Sequence, residues 1–348
     1  YIAISKLEEQ LKDYLNKHND WRNNAIAFTK RYIDEGLRDR AITRDLEWGI
    51  KVPKEGYEDK RIYIWAENVL GYLSASKVLC DKRNIPFDDL WKNDSRHYYV
   101  HGKDNIPFHT IILPSLLLAH NQGYHLPDDI ISNEHLTLEG RKISTSKNWA
   151  IWAKDIVKEY SPDTIRFFLV ANGPEKRDTD FTWSEFAERN NSELLGIYGN
   201  FVNRTLLFIK KYQYNIVPKG IADEEIQKII NDTYANAGKN IENGRLKEAL
   251  QEVISLVRYG NKYYDTKEPW KTRTSNIEDC DNTIFNCTQI IANAAVLFRP
   301  FIPFSSDKVL SWLDLSYDWE IKKVKEGYTL PEISILFERI TIPSQPQP

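Results

Sequence analysis

The sequence predicts a chain in two parts, an α/β half built on a parallel sheet and an all-α half built as a helix bundle, meeting near residue 184. Before that point, short apolar runs such as RIYIW (61–65) and HYYVH (97–101) alternate with helical stretches, as in a sheet covered by helices. After it, apolar residues recur at helical spacing: Leu194, Tyr198, Phe201, Thr205 and Phe208, then Ile226, Ile230, Tyr234, Ala237 and Ile241. Leu246, Leu250, Val253, Val257 and Tyr264 mark a third helix ending before Pro269, and a fourth covers 283–299, up to Pro300. Short polar connections between such helices make an antiparallel bundle the simplest packing. The proline-rich tail from 340 onward reads as a linker or frayed end.

With 348 residues, 41% of them hydrophobic, the chain can fill two or three cores. A net charge of −3 excludes a surface that binds nucleic acid indiscriminately, so any RNA contact must be local. Arg204, Lys210 and Lys211 form one candidate patch, and Arg258, Lys262, Lys267, Lys271 and Arg273 another; composition alone favours reading both as solvated helix faces. No apolar run approaches bilayer length, and the first residues lack the order of a signal peptide. Cys80, Cys280 and Cys287 are too scattered for a disulfide framework or tetrahedral metal spacing, so a reducing cytoplasm and no metal site are expected. Methionine does not occur.

The string GRKISTSKNW (140–149) places Lys142 and Lys147 around Ser144, Thr145 and Ser146. Phosphoryl chemistry needs positioned positive charge more than covalent participation, and such a loop supplies it, although lysine–serine runs are also common on solvated loops. The string resembles the mobile ATP loop of class I aminoacyl-tRNA synthetases. Further strings resemble the methionyl-tRNA synthetase family of the archaeal and eukaryotic-like type, in that family's order: RDRAITRDLEWGIKVP (38–53), RIYIWAENVLGYLSAS (61–76), HGKDNIPFHTIILPSLLLA (101–119), DTDFTWSEFAERNNSELLGIYGNFVNR (178–204) and NKYYDTKEPWK (261–271). The His-Ile-Gly-His type string that opens the family's nucleotide fold does not occur among these residues, so the chain is expected to be a C-terminal part lacking the first half of the catalytic domain.

The resemblance implies a partial Rossmann-like catalytic half and an anticodon-binding bundle. Its expected boundaries are 1–134 for the end of the connective insertion and the second half of the catalytic domain, 135–183 for the ATP loop and stem contacts, 184–340 for the bundle and 341–348 for a tail. It implies methionine–tRNA ligase activity on L-methionine, ATP with Mg2+ and tRNA(Met), with no zinc in this chain. Lys142, Lys147, Ser144 and Ser146 are the implied catalytic residues. Gly102, Lys103, Asp104, Lys142 and Thr145 are implied at ATP, and Trp65, Asn68, Tyr72, Asn105, Phe108 and His109 at methionine. Asn200, Arg204 and Trp270 are implied at the anticodon, Trp270 as a stacking platform.

Several residues keep a second reading. Thr145 stands where the family usually has its second loop lysine, and Asn68 where it commonly has alanine. Asp104 also reads as a helix N-cap, Trp65 as core in a central strand, and Arg44 as an anchor to Asp45 or Glu47 rather than a substrate contact. From spacing alone Asn200 and Arg204 are an exposed pair on one helix face, and Trp270 a lid on the bundle end. The alternative function is a catalytically incompetent RNA-binding module. A synthetase for isoleucine, leucine, valine or cysteine shares the loop but not GKDNIPFH together with the EPW corner.

Overall fold

The computed structural model describes residues 1–93 and 95–342, without the side chains of Trp65 and Ala66. The chain divides into two compact units. One holds Tyr1–His135 with Pro174–Asp178, and the other Leu136–Gly173 with the chain from Thr179 onward. The tail expected at 341–348 lies outside the described residues from 343.

In the first unit, β1 (Thr43–Asp45) pairs antiparallel with β2 (Lys60–Ile62), and β3 (Tyr98–Gly102) pairs in parallel with β4 (Asp129–Asn133), Tyr99 opposite Ile130. Parallel pairing needs a crossover. Here the chain passes through a wide helical turn, Phe108–Ile112, into the helix Leu113–His120. Asn121 ends that helix in the left-handed conformation at φ 54°. Ile111, Leu113 and Leu117 from the crossover and Tyr99 and Ile130 from the strands share one core with Trp21 and Trp91. Arg96 clamps the start of the sheet, its Nε and Nη2 donating to the two oxygens of Asp129 at 2.7 and 3.0 Å.

Three sequence expectations fail in this unit. RIYIW is not a strand of the parallel sheet: only Lys60–Ile62 is extended, in an antiparallel pair, and Ile64–Glu67 turns into a helix. A short apolar run cannot be assigned by periodicity, and here helix-favouring residues follow directly. Trp65 is therefore on a helical turn, not in a central strand. Asp104 caps nothing, since the turn Lys103–Asn105 starts at Gly102 with no side-chain cap. Arg44 does not anchor through Asp45 or Glu47: its Nη1 donates to the carbonyls of Ala41 and Thr43 and its guanidinium lies 4.0 Å from the Tyr63 ring centroid.

The second unit opens with a three-stranded sheet in the order β6 (Arg141–Lys142), β5 (Leu136–Leu138), β7 (Thr179–Phe181). β5 and β6 are joined through Glu139 and Gly140, both at positive φ (48° and 72°), the twist a two-residue hairpin requires. The helices follow. Trp183–Arg189 begins behind the N-cap Thr182 and continues through a wide-turned segment, Asn190–Gly199, into Asn200–Tyr212. Glu224–Glu242, Leu246–Lys267, Pro269–Ser275, Ile277–Phe298 and Pro303–Trp312 complete the unit. Buried Asp163 accepts from the backbone N–H groups of Phe304 and Ser305, tying the last of these helices to the helix Pro162–Ala171.

Two helices of this unit meet where an aromatic ring of one packs directly on the backbone of the other. A Cβ on Gly260, in the 246–267 helix, would stand 2.5 Å from Cζ of Phe201 in the 200–212 helix, and that ring is fully buried. We predict that Gly260→Ala destabilises the protein by roughly 1–3 kcal/mol despite alanine's better helix propensity, because overpacking outweighs the propensity gain. Urea unfolding checks this; a neutral or stabilising substitution would show that the interface can yield.

Candidate functional site

A cavity of about 540 Å³ opens in the first unit, and its walls include Tyr72, Trp91, Tyr99 and His109. His109 is set by the wide turn after Pro107 and is buried. Its Nδ1 lies 2.9 Å from the carbonyl oxygen of Asn105 and its Nε2 2.9 Å from the Tyr72 hydroxyl. A carbonyl can only accept, so Nδ1 carries the proton and Nε2 accepts from Tyr72. Burial pushes the imidazole pKa down to about 4, with the Asn105 bond opposing, so the ring is neutral at physiological pH. The site thus presents a hydroxyl whose proton is committed and whose lone pairs stay available, framed by aromatic faces.

His101 stacks on His109 with centroids 4.3 Å apart and planes 15° from parallel, and burial lowers its pKa as well. Tyr72 and Tyr99 meet edge to face at 5.3 Å. Of the residues expected at methionine, Tyr72 and His109 come together here, and Asn105 takes part through its backbone carbonyl. Asn68 is exposed and does not line this cavity, and Phe108 lines a smaller one of about 180 Å³ with Tyr32, Arg40 and Arg44. The Trp65 side chain lies outside the described residues. Tyr99 and His101 were missed in the sequence, where HYYVH reads only as a strand.

Next to this wall, Gly102 ends β3 and Lys103, Asp104 and Asn105 form a single turn. The Lys103 ammonium donates to Glu134 at 2.6 Å and Asp178 at 2.9 Å, and these bonds raise its pKa. A phosphate reaching Lys103 would compete with both carboxylates. Asp104 is well exposed, with His135 Nε2 at 3.3 Å from its carboxylate, so an incoming hydroxyl or amino group can reach it.

The lysine-bearing loop is a compact hairpin in the second unit. Ser144 and Trp149 exchange both backbone hydrogen bonds at 2.9 Å, Asn148 turns the chain at φ 49°, and the Ser144 and Ser146 hydroxyls are 3.2 Å apart. Trp149, absent from the sequence expectations, holds its base: the indole N–H donates to Leu138 at 3.0 Å and the ring carries the Arg141 guanidinium at 4.6 Å. Lys142, Thr145 and Lys147 are exposed, and among the described residues neither lysine has a carboxylate partner. Two uncompensated cations on a braced loop can meet a polyanion without first losing an ion pair.

On the helical side of this unit, the Arg204 guanidinium lies 3.9 Å from the Tyr264 ring centroid and its Nη2 donates to Asp265 at 2.6 Å. Tyr264 stacks on Trp270, with centroids 5.8 Å apart and planes 27° from parallel. Burial pushes the Tyr264 hydroxyl up to about 12, against the pull of Arg204. Trp270 keeps 41% of its surface exposed, standing clear of the core because Glu268 at φ 46° and Pro269 break the preceding helix. Arg204 and Trp270 are therefore brought together through Tyr264, which the sequence reading treated as core. Asn200, one turn before Arg204, is exposed and lines a groove of about 450 Å³ with Asn203 and Arg339. A cation, an exposed indole and polar amides are the groups that splayed RNA bases require.

Comparison with known proteins decides the family. Residues 1–206 match the model for tRNA synthetases class I (M). This chain belongs to the methionyl class I tRNA synthetase family. Residues 217–343 match the anticodon binding domain of methionyl tRNA ligase. The chain is 48% identical to methionine–tRNA ligase 1 of Alkaliphilus oremlandii over 343 residues, and 49% identical to methionine–tRNA ligase 1 of Bacillus cereus strain ATCC 10987 over 346 residues. In both cases the match covers 98% of this chain and 63% of the relative's length. Crystal structures of Mycobacterium tuberculosis methionyl-tRNA synthetase share the fold at 21% identity, with TM-scores of 0.83 for the apo form and 0.84 for the form bound by methionyl-adenylate. They cover 98% and 97% of this chain, and in each case 68% of the matched chain. Among the described residues, no helix is long and apolar enough to cross a membrane, and no group of three or more His, Cys, Asp or Glu residues could hold a metal ion.

The His109 geometry has a pH signature. An unfolded histidine binds its proton below about pH 6.5, whereas folded His109 does so only near pH 4, so its contribution to stability is complete above 6.5 and declines as the pH falls through that window. Replacing Tyr72 with phenylalanine removes the donor that favours the neutral ring, and we expect the His109 pKa to rise toward its ordinary value. NMR titration of the imidazole in both proteins checks this; an unshifted titration would contradict the hydrogen bond.

Proposed function

We propose that this chain carries the methionine-selecting, ATP-contacting and RNA-reading parts of a methionine–tRNA ligase. The reaction joins the methionine carboxylate to the α-phosphate of ATP, supplied with Mg2+, and releases pyrophosphate. A ribose hydroxyl of tRNA(Met) then attacks the mixed anhydride and releases AMP. Neither step needs a protein nucleophile, so the protein's work is placement and neutralisation of charge.

In this reading Tyr72 and His109 face the methionine side chain, with Asn68, Asn105, Phe108 and Trp65 around them. A thioether is unbranched and polarizable, which suits aromatic walls with one oriented hydroxyl. Gly102, Lys103 and Asp104 take the adenosine part of ATP. Lys142 and Lys147, with Ser144, Thr145 and Ser146, close on the phosphates from the 135–183 region. Asn200, Arg204 and Trp270 read the anticodon from the 184–340 region, Trp270 by stacking and the other two by hydrogen bonds. The setting is the cytoplasm, where three buried free cysteines stay reduced.

The observation that carries the reading is one chain holding both a lysine hairpin with no carboxylate partner among the described residues and an exposed Trp270 stacked on Tyr264 under Arg204. A catalytically incompetent RNA-binding module is the second reading, favoured by Lys103 being held between two carboxylates.

Kinetics of the two half-reactions separate these roles. Lys142→Ala and Lys147→Ala should each lower methionine-dependent ATP–pyrophosphate exchange, by about tenfold to a thousandfold. Trp270→Ala should leave exchange within about twofold while cutting tRNA charging by about fivefold to a hundredfold, one base stack being worth about 1–3 kcal/mol. Equal loss of both activities in Trp270→Ala, or exchange indifferent to both lysines, would contradict the assignment.

A further inference from the structure

The Arg204–Tyr264–Trp270 stack does not end at Tyr264. The Phe208 ring lies 6.5 Å from Tyr264, edge to face, and 4.8 Å from Tyr212. Over Tyr212 lies the guanidinium of Arg273, 4.4 Å from the ring centroid. Arg273 is in turn fixed to the first platform, because its Nε donates to the Trp270 carbonyl at 3.3 Å within the short helix Pro269–Ser275. Tyr212 keeps 37% of its surface exposed, and Lys211 places its ammonium 5.1 Å from the same ring. A second aromatic–guanidinium pair thus shares the 200–212 and 269–275 helices with the first, joined to it by the buried Phe208 ring and a side-chain-to-backbone hydrogen bond.

We propose that Tyr212 and Arg273 form a second platform for the same RNA loop, taking an unpaired base next to the one on Trp270 together with its phosphate. The proposal deepens the RNA-reading assignment and rests on it. The occupant follows from continuity with the first stack and from charge: Lys211 and Arg273 both lie over the Tyr212 ring, whereas the first platform carries Asp265 against Arg204. Every base has a π-face, and cations bond phosphate without reading sequence, so this platform adds affinity without choosing the base. Arg204 and Asn200 remain the groups that can address a base edge.

The test is binding of the whole protein to two RNA stem-loops, one with the methionine anticodon and one with those three bases replaced, across a salt series. Tyr212→Ala should weaken both by the same factor, about fivefold to a hundredfold, the worth of one base–aromatic stack. Tyr212→Phe should retain the binding, since it keeps the ring. Arg273→Gln, at an exposed position, should lower the slope of log affinity against log salt by about one. Trp270→Ala should likewise weaken both loops, since its stack is no more selective for the base. If Trp270→Ala weakens binding while Tyr212→Ala and Arg273→Gln leave affinity and salt slope unchanged, the second platform is refuted and the RNA assignment stands. If all three variants bind as the parent does, both fail together.

Discussion

The close passage of Gly260 against Phe201 fixes the arrangement around Arg204, Tyr264 and Trp270. With no Cβ at 260, the 246–267 helix comes near enough to the 200–212 helix for the next turn of each to meet, and there Arg204 lies over Tyr264. Residues four apart stack on one helix face, so Gly260 places Tyr264, as Phe201 places its neighbours Arg204 and Thr205. Tyr264 then supports Trp270 after the chain breaks at Glu268 and Pro269. A wider helix separation would leave an exposed arginine and an exposed tryptophan with nothing between them. Gly260 costs helix propensity and returns the position of the three side chains to which RNA reading is proposed.

The role proposed for the first unit poses a different problem, met by comparable means. Selecting an unbranched apolar side chain calls for walls that do not move and a polar group that does not ionise. His109 meets both needs because each of its ring nitrogens is engaged and its burial keeps it neutral. Its proton on Nδ1 faces a carbonyl, which leaves the Tyr72 hydroxyl no choice of donor direction. The wide turn at Phe108–Ile112 is what allows the ring to reach back to Asn105 while the helix Leu113–His120 packs on the sheet.

Much of the architecture was legible in the sequence, for physical reasons that also mark the limits. Long amphipathic helices announce themselves by period, and the stripes through Phe201, Tyr234 and Val257 are buried as their spacing requires. Short strands do not: RIYIW satisfies strand and buried-helix patterns alike, and the chain turned helical at Ile64. Pro269 told correctly that a helix ends before Trp270, but nothing in the spacing told that Tyr264 would lie between Trp270 and Arg204. Contacts across 60 residues depend on helix separation, which a single small residue decided. Likewise the Lys103 carboxylate pair joins residues distant in the chain, and the Trp149 brace and the His101–His109 stack depend on how the backbone turns between their partners, which no residue spacing encodes.

The most direct test of the ligase account is amino-acid selectivity in ATP–pyrophosphate exchange, measured on the protein with methionine, isoleucine, leucine, valine and cysteine in parallel. A cavity framed by Tyr72 and a neutral His109 should give methionine the highest kcat/KM, by at least about tenfold over each competitor, the discrimination an apolar pocket achieves for one methylene or branch. Exchange sustained best by any of the other four would contradict it.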